Sequence, residues 1–176
     1  MKRTFLRLGV AVLLVGGLAI VVGVQFIATD AETQSLQESY PSENYSIIED
    51  GLCLGGILSV PPSGTRVVLN VCETKDPYLA EVHRWEPIPD LGPAPALAWL
   101  RSQVEFIDQH RKAGLPVYVH CRAGINRSVT VLAAYLMWRD RLTRDAALEV
   151  IQRKRPRASP FAVYREFLLE WERSLK

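Results

Sequence analysis

The chain opens on an unbroken apolar run. Residues 8–28, LGVAVLLVGGLAIVVGVQFIA, hold Gln25 as their one polar side chain. At about 1.5 Å per residue, a run of this length crosses a hydrocarbon core of about 30 Å as a helix. Lys2, Arg3 and Arg7 precede it, and Asp30 and Glu32 follow it. A cleavable signal sequence has a shorter apolar region, about 7–15 residues, and an A-x-A-like cleavage site. The nearest small-residue site here, Thr29-Asp30-Ala31, fits that pattern poorly. The pattern predicts an uncleaved transmembrane helix over 8–28, with a signal sequence as the alternative. The basic flank, residues 1–7, predicts a cytoplasmic N-terminus and a globular part on the extracytoplasmic side.

The periodicity changes at residue 29. Residues 29–44, TDAETQSLQESYPSEN, are polar and read as a linker. Beyond it, short apolar runs alternate with helical stripes. Tyr45 to Ile48 and Leu52 to Leu54 read as two strands around the turn Glu49-Asp50-Gly51. Residues 66–71, RVVLNV, are a β-branched run suited to a buried strand. A proline-punctuated loop, WEPIPDLGPAP, follows. Residues 96–112 place Leu97, Leu100, Val104 and Ile107 on one helical face. Residues 116–120 form another short buried strand. Helices are predicted over 129–139 and from an N-cap at Thr143 to residue 153. A last helix starts at Ser159-Pro160 as N-cap and first position, with Tyr164, Phe167, Leu168, Trp171 and Leu175 on one face. Strands alternate with helices and then helices accumulate. The fold class is α/β, a single small sheet with helices packed on it, in one domain over residues 45–176.

Composition narrows the function classes. The chain has 176 residues, 48% hydrophobic and 23% charged, enough for one domain with a sizeable core. A formal charge of +2 argues against a dedicated nucleic-acid binder, which shows a strongly basic face. Three cysteines (Cys53, Cys72 and Cys121) are too few and too scattered for a disulfide framework, and no CxxC pair suggests zinc. Neither a metal nor a cofactor is expected.

The candidate chemistry lies in HCRAGINRS, residues 120–128, between a strand and a helix. A loop at that junction aims backbone N–H groups at one point, where the helix dipole also favours an anion. Gly124 permits a tight curl, and curled N–H groups make an anion nest. Arg127 adds a planar fork that grips two phosphate oxygens. Residues 121–127, with Arg122, Ala123, Ile125 and Asn126 completing the loop, are suited to a tetrahedral dianion. Cysteines in such electropositive sites are thiolates at neutral pH. A thiolate beneath a phosphate attacks phosphorus and leaves a cysteinyl-phosphate. His120 is assigned to holding the loop, and Ser128 to donating its hydroxyl to the departing sulfur. The general acid is assigned to Asp90, on the loop Ile88 to Pro93, with Asp76 and Glu86 as rivals.

HCRAGINRS fits HCxxGxxRS, and the chain from about Tyr45 onward resembles the cysteine-dependent phosphatases, most of all their dual-specificity branch. YSIIEDGLCLGG is similar to the family's first strand pair, VVLNVCE to its central strand, PIPDLGPAP to its acid loop and RKRPRASP to its late helix boundary. The resemblance implies a mostly parallel sheet of four or five strands with helices on both sides, no metal, and hydrolysis of phosphate esters. It places Asp90 at a typical separation before Cys121. One departure stands out. Where the family often has asparagine and then glutamine on the last helix, this chain has Phe161 and Phe167, which removes polar support of the loop from that helix.

The leading function is a membrane-anchored phosphatase of phosphotyrosine, and of phosphoserine or phosphothreonine, in protein substrates. The alternatives are a phosphatase of a non-protein ester (a phosphoinositide, sugar or nucleotide) and a non-catalytic phosphate-binding module. Arg122 is the loop's only cation besides Arg127, which favours proteins over inositides. Elsewhere the plain readings lead. Cys53 and Cys72 are core residues, with a Cys72–Cys121 disulfide under oxidation as the alternative for Cys72. Arg153, Lys154, Arg155 and Arg157 are a solvated helix end. His83 and His110 carry no chemistry, and Trp85 is a packing anchor for the acid loop.

Overall fold

The computed structural model describes residues 7–15, 18–26 and 43–176. The chain divides into two units, residues 1–39 and 40–176. In the first, β1 (Arg7–Val15) and β2 (Leu18–Phe26) pair antiparallel, from Arg7 opposite Phe26 to Val15 opposite Leu18. Over 8–28, where a transmembrane helix is expected, the described residues form these two strands. The physical reason is legible in hindsight. The run is rich in valine and isoleucine, which favour extended backbone. Gly16-Gly17 stands between its halves in sequence, a two-residue hairpin signal. Among the described residues no helix is long and apolar enough to cross a membrane. Residues 1–6, 16, 17 and 27–42, with parts of the expected basic flank, span and linker, lie outside the described residues.

The second unit is built on a five-stranded sheet. Its strands are β3 (Tyr45–Glu49), β4 (Leu52–Gly55), β5 (Val67–Asn70), β6 (Val82–Trp85) and β7 (Val117–His120). The spatial order is β3-β4-β7-β5-β6. The β3–β4 pair is antiparallel and every other pair is parallel. The expected mostly parallel sheet is present, with one strand more than periodicity marked. That strand, β6, has the sequence VHRW and is only partly buried, because it forms an edge.

Four helices follow: α1 (Leu97–Lys112), α2 (Arg127–Asp140), α3 (Arg144–Lys154) and α4 (Ala162–Ser174). Strand residues alternate between faces. Leu52, Leu54, Val67, Leu69, Val117 and Val119 meet the buried side chains of all four helices in the main core. Val68 and Tyr118 point the other way, to a small second core with Leu58, Cys53, Tyr78 and Ala80. The described helices thus cover one face and loops cover the other, a departure from the two-sided cover that the resemblance implies. Central helix α2 is buried along nearly all its length, so it lacks a polar stripe. Thr143 caps α3 as expected, accepting from the Ala146 amide at 3.3 Å. The last helix begins later than expected. Phe161 is its N-cap, because Ser159 is used elsewhere.

Candidate active site

Strands β4, β7 and β5 end side by side, with His120 in register with both Gly55 and Asn70. Ligands in parallel sheets bind outside such carboxyl ends. The loop 121–126 leaves β7 there and enters α2. Gly124 turns it at φ +67°, and a Cβ at that position would lie 2.4–2.5 Å from the carbonyl group of Gly55. Only glycine meets both demands. The curl brings the Gly124 amide to 3.3 Å from Cys121 Sγ, and the Ser128 hydroxyl donates to the same sulfur at 3.3 Å. Cys121 is 2% exposed, so its sulfur lies on the floor of the cradle.

Arg127 enters the cradle from the first turn of α2 with its side chain almost wholly buried. One terminal nitrogen donates to Glu73 Oε2 at 2.7 Å and to the Ile88 carbonyl at 3.0 Å. Its Nε lies 2.9 Å from Asp90 Oδ1, an ion pair rather than an aligned hydrogen bond. Burial alone would lower its pKa; the Glu73 hydrogen bond, Cys121, Asp90 and Glu73 outweigh burial and raise it. The same contact with Arg127, its main cause, holds Glu73 below the usual carboxylate value. Glu73 is a site residue that sequence reasoning missed. It lies 54 residues from Arg127, and nothing local marks it.

The acid loop is fixed at several points. Asn126 Nδ2 donates to the Asp90 carbonyl and to Asp90 Oδ1, each at 3.1 Å. The Tyr164 hydroxyl donates to the Pro89 carbonyl. Asp90 remains 44% exposed, so its carboxyl faces both Arg127 and solvent. Of the rivals, Asp76 has its side chain fully buried among Asn70, His83 and His120, and Glu86 is exposed with its amide on the Asn70 carbonyl. Of the three, the geometry brings Asp90 to Arg127.

Support for the loop comes from a residue read as solvated. Arg155 is 4% exposed. Its Nε donates to the Gly124 carbonyl at 2.6 Å, and Nη2 donates to the Ala123 carbonyl at 3.0 Å and to Asn44 Oδ1 at 2.7 Å. Burial is the main cause that lowers its pKa. The signal was present: Pro156 ends the helix, so Arg155 is the C-cap and leaves the solvated face. Near Phe161, where no polar side chain of the last helix is expected to support the loop, backbone does so. The Ser159 amide donates to the Ile125 carbonyl at 2.9 Å, and the Phe161 amide to Asn126 Oδ1 at 2.9 Å. Backbone does there what side chains were expected to do. The Arg122 carbonyl accepts from the Ile57 amide at 3.1 Å, while its side chain is exposed at the rim.

Cys72 and Cys121 are both buried in the main core, and neither is in a disulfide. Burial pushes the Cys72 thiol up to about 11, so it is a poor thiolate. Cys53 is half-buried against the second core. Trp85 is 39% exposed and anchors through its indole N–H to the Cys72 carbonyl at 2.8 Å.

Comparison with known proteins gives the same picture from another side. Human dual specificity protein phosphatase 1 is 38% identical over 86 residues, 49% of this chain and 23% of that protein. Human dual specificity protein phosphatase 16 is 35% identical over 117 residues, 65% of this chain and 18% of that protein. The chain thus spans less than a quarter of the length of these relatives. A mouse putative dual specificity phosphatase crystallised with zinc tungstate superposes with a TM-score of 0.70 at 22% identity, covering 77% of this chain and 89% of that one. PTPMT1 in complex with PI(5)P superposes with a TM-score of 0.67 at 26% identity, covering 76% and 97%. Residues 64–174, which carry the central strands, the acid loop and the cradle, match the dual specificity phosphatase catalytic domain, and the chain belongs to that family.

Proposed function

We propose that the chain hydrolyses phosphate monoesters in proteins, phosphotyrosine first and phosphoserine or phosphothreonine as well. One observation carries the reading: Cys121 Sγ sits under the Gly124 amide and Ser128 hydroxyl, while Arg127 in the same cradle meets the carboxylate of Asp90. The Cys121 thiolate attacks phosphorus, and the phosphorus–oxygen bond to the leaving group breaks. Asp90 gives its proton to that oxygen. In the second step Asp90 takes a proton from water, the water oxygen attacks phosphorus, and the sulfur–phosphorus bond breaks. The Ser128 hydroxyl stabilises the departing thiolate. Loop amides and Arg127 hold the equatorial oxygens throughout. Protein substrates are supported by the names of the curated relatives and by the single extra loop cation, Arg122.

A second reading, a phosphoinositide substrate, is favoured by the likeness to PTPMT1, whose structure holds PI(5)P. A panel of phosphopeptides against phosphoinositide vesicles separates the two. Peptide turnover that disappears in Cys121→Ser is the expected result; turnover of vesicles alone selects the second reading. Anion binding without turnover of either leaves a phosphate-binding module. Membrane attachment through residues 8–28 belongs to the same proposal and is supported by their apolar composition. Recovery of the whole chain in the supernatant after cell breakage removes it.

A further inference from the structure

His120 is enclosed by acceptors. It is fully buried, and its ring stacks on Tyr118 with centroids 4.9 Å apart and planes at 16°. Nδ1 lies 3.3 Å from the Cys121 carbonyl oxygen, and Nε2 lies 3.1 Å from Asp76 Oδ2. A neutral imidazole has one N–H and one bare lone pair. In either tautomer one of these contacts would set a lone pair against an acceptor. With Asp76 ionised, both are hydrogen bonds only when both ring nitrogens carry a proton.

A buried cation requires a partner of opposite charge. Asp76 fits that requirement. Its side chain is fully buried, and Oδ2 accepts from Asn70 Nδ2 at 2.9 Å, His83 Nε2 at 2.9 Å and His120 Nε2. Burial, the largest influence, pushes its pKa up. The hydrogen bond and charge of His120, with the bonds from Asn70 and His83, outweigh burial and hold it below the ordinary carboxylate value. His83 is 21% exposed, and with Asp76 it lines a cavity of about 300 Å³ bounded also by Lys75, Tyr78 and Trp85.

We propose that Asp76 is a positioning residue that holds His120 as a buried imidazolium, adjacent in sequence to the nucleophile. The Cys121 thiolate then has a fixed positive charge on the residue before it, in addition to the Gly124 amide and the Ser128 hydroxyl at its sulfur. The inference rests on Cys121 as the nucleophile. The other groups facing this cluster are Tyr118 from β7, His83 from β6, Tyr78 from the loop after β5, Cys72 just past β5 and Lys75 on the shared cavity; Arg127 bears on it through Cys72 and Arg155 through Tyr118.

Asp76→Asn in the full chain removes the charge and keeps the shape. Two measurements test the proposal without turnover, so they succeed or fail independently of the phosphatase reading. In the unaltered chain, ¹⁵N NMR of labelled histidine rings should show both His120 nitrogens protonated at about pH 7.5. In Asp76→Asn, iodoacetamide should modify Cys121 about tenfold more slowly at about pH 6, with the rates converging at about pH 10, because less thiolate is present at acid pH. A neutral His120 ring in the unaltered chain overturns the proposal, and this result stands even if the variant does not fold. An unchanged alkylation profile in a folded Asp76→Asn variant overturns it equally, since a merely structural contact would leave that profile in place.

Discussion

The Cys121 sulfur has donors from two elements, a loop amide and a helix hydroxyl, and the carboxylate proposed as the acid comes from a third. Asp90 reaches Arg127 from a loop pinned by Asn126 and Tyr164. Asp90→Asn removes the proton donor and leaves the cradle. Turnover of a phosphopeptide should fall about 10²–10⁴-fold, the usual scale for a lost general acid. An ester whose leaving group needs no proton should lose far less. Rates for a series of aryl phosphates of graded leaving-group acidity check this, and equal losses across the series would remove the assignment. Arg155 acts at one remove. Arg155→Met strands the carbonyls of Ala123 and Gly124, which face one guanidinium at 3.0 and 2.6 Å. Loss of hydrogen bonds to a charged donor costs about 1.5–3 kcal/mol each. Vanadate binding should weaken about tenfold or more, read by competition with substrate. The contrast between these two residues marks what the sequence could disclose. Cys121, Arg127 and Ser128 fall in one contiguous motif whose spacing encodes its geometry. Arg155 and Glu73 meet the motif from 31 and 54 residues away, through folding alone.

At the scale of elements, the strands and helices with clean periodicity stand where the pattern put them. Helix α1 keeps its stripe of Leu100, Val104 and Ile107 in the core, and α4 buries Tyr164, Phe167, Leu168 and Trp171. The elements that escaped are those whose form is set by neighbours. Strand β6 exists because β5 offers it an edge, from Val67 opposite Val82 to Asn70 opposite Trp85. Helix α4 starts after Phe161 because the preceding backbone braces the cradle at Ile125 and Asn126. Residues 8–26 satisfy a helical pattern by their apolar length and a hairpin pattern by Gly16-Gly17. Trp171 shows how α4 is held. It is fully buried, and its indole N–H donates to the Ala134 carbonyl at 3.0 Å, joining α4 to α2. Trp171→Ala removes that ring from a close-packed core and should cost about 3–5 kcal/mol of stability. Urea denaturation followed by far-ultraviolet circular dichroism measures it. Because α2 carries Arg127 and Ser128 at its start, the variant should lose activity in parallel with its fold at moderate denaturant.

For the whole molecule, the sheet divides the labour between its faces. One face packs on the helices, and the other is closed by loop residues such as Leu58, Tyr78 and Ala80. The buried carboxyl of Asp76 belongs to one of those loops, so the cover over the second face depends on charge. Its pKa is held below the ordinary value in the folded chain: burial opposes this, and His120, Asn70 and His83 overcome it. The unfolded chain returns it to about 3.9. A depressed folded value means that the unfolded state binds the proton more tightly, so protonation favours unfolding. The stability that Asp76 contributes is fully present above about pH 5 and is lost as pH falls through the unfolded and then the folded value. Asp76→Asn cannot titrate there. Its deficit relative to the unaltered chain should be constant from about pH 5 to 7 and shrink toward about pH 3, as the aspartate of the unfolded chain takes up its proton. Parallel thermal melts across that range read the difference directly. A gap between the two proteins that stays the same down to about pH 3 would mean that Asp76 is not an ionised partner in the fold.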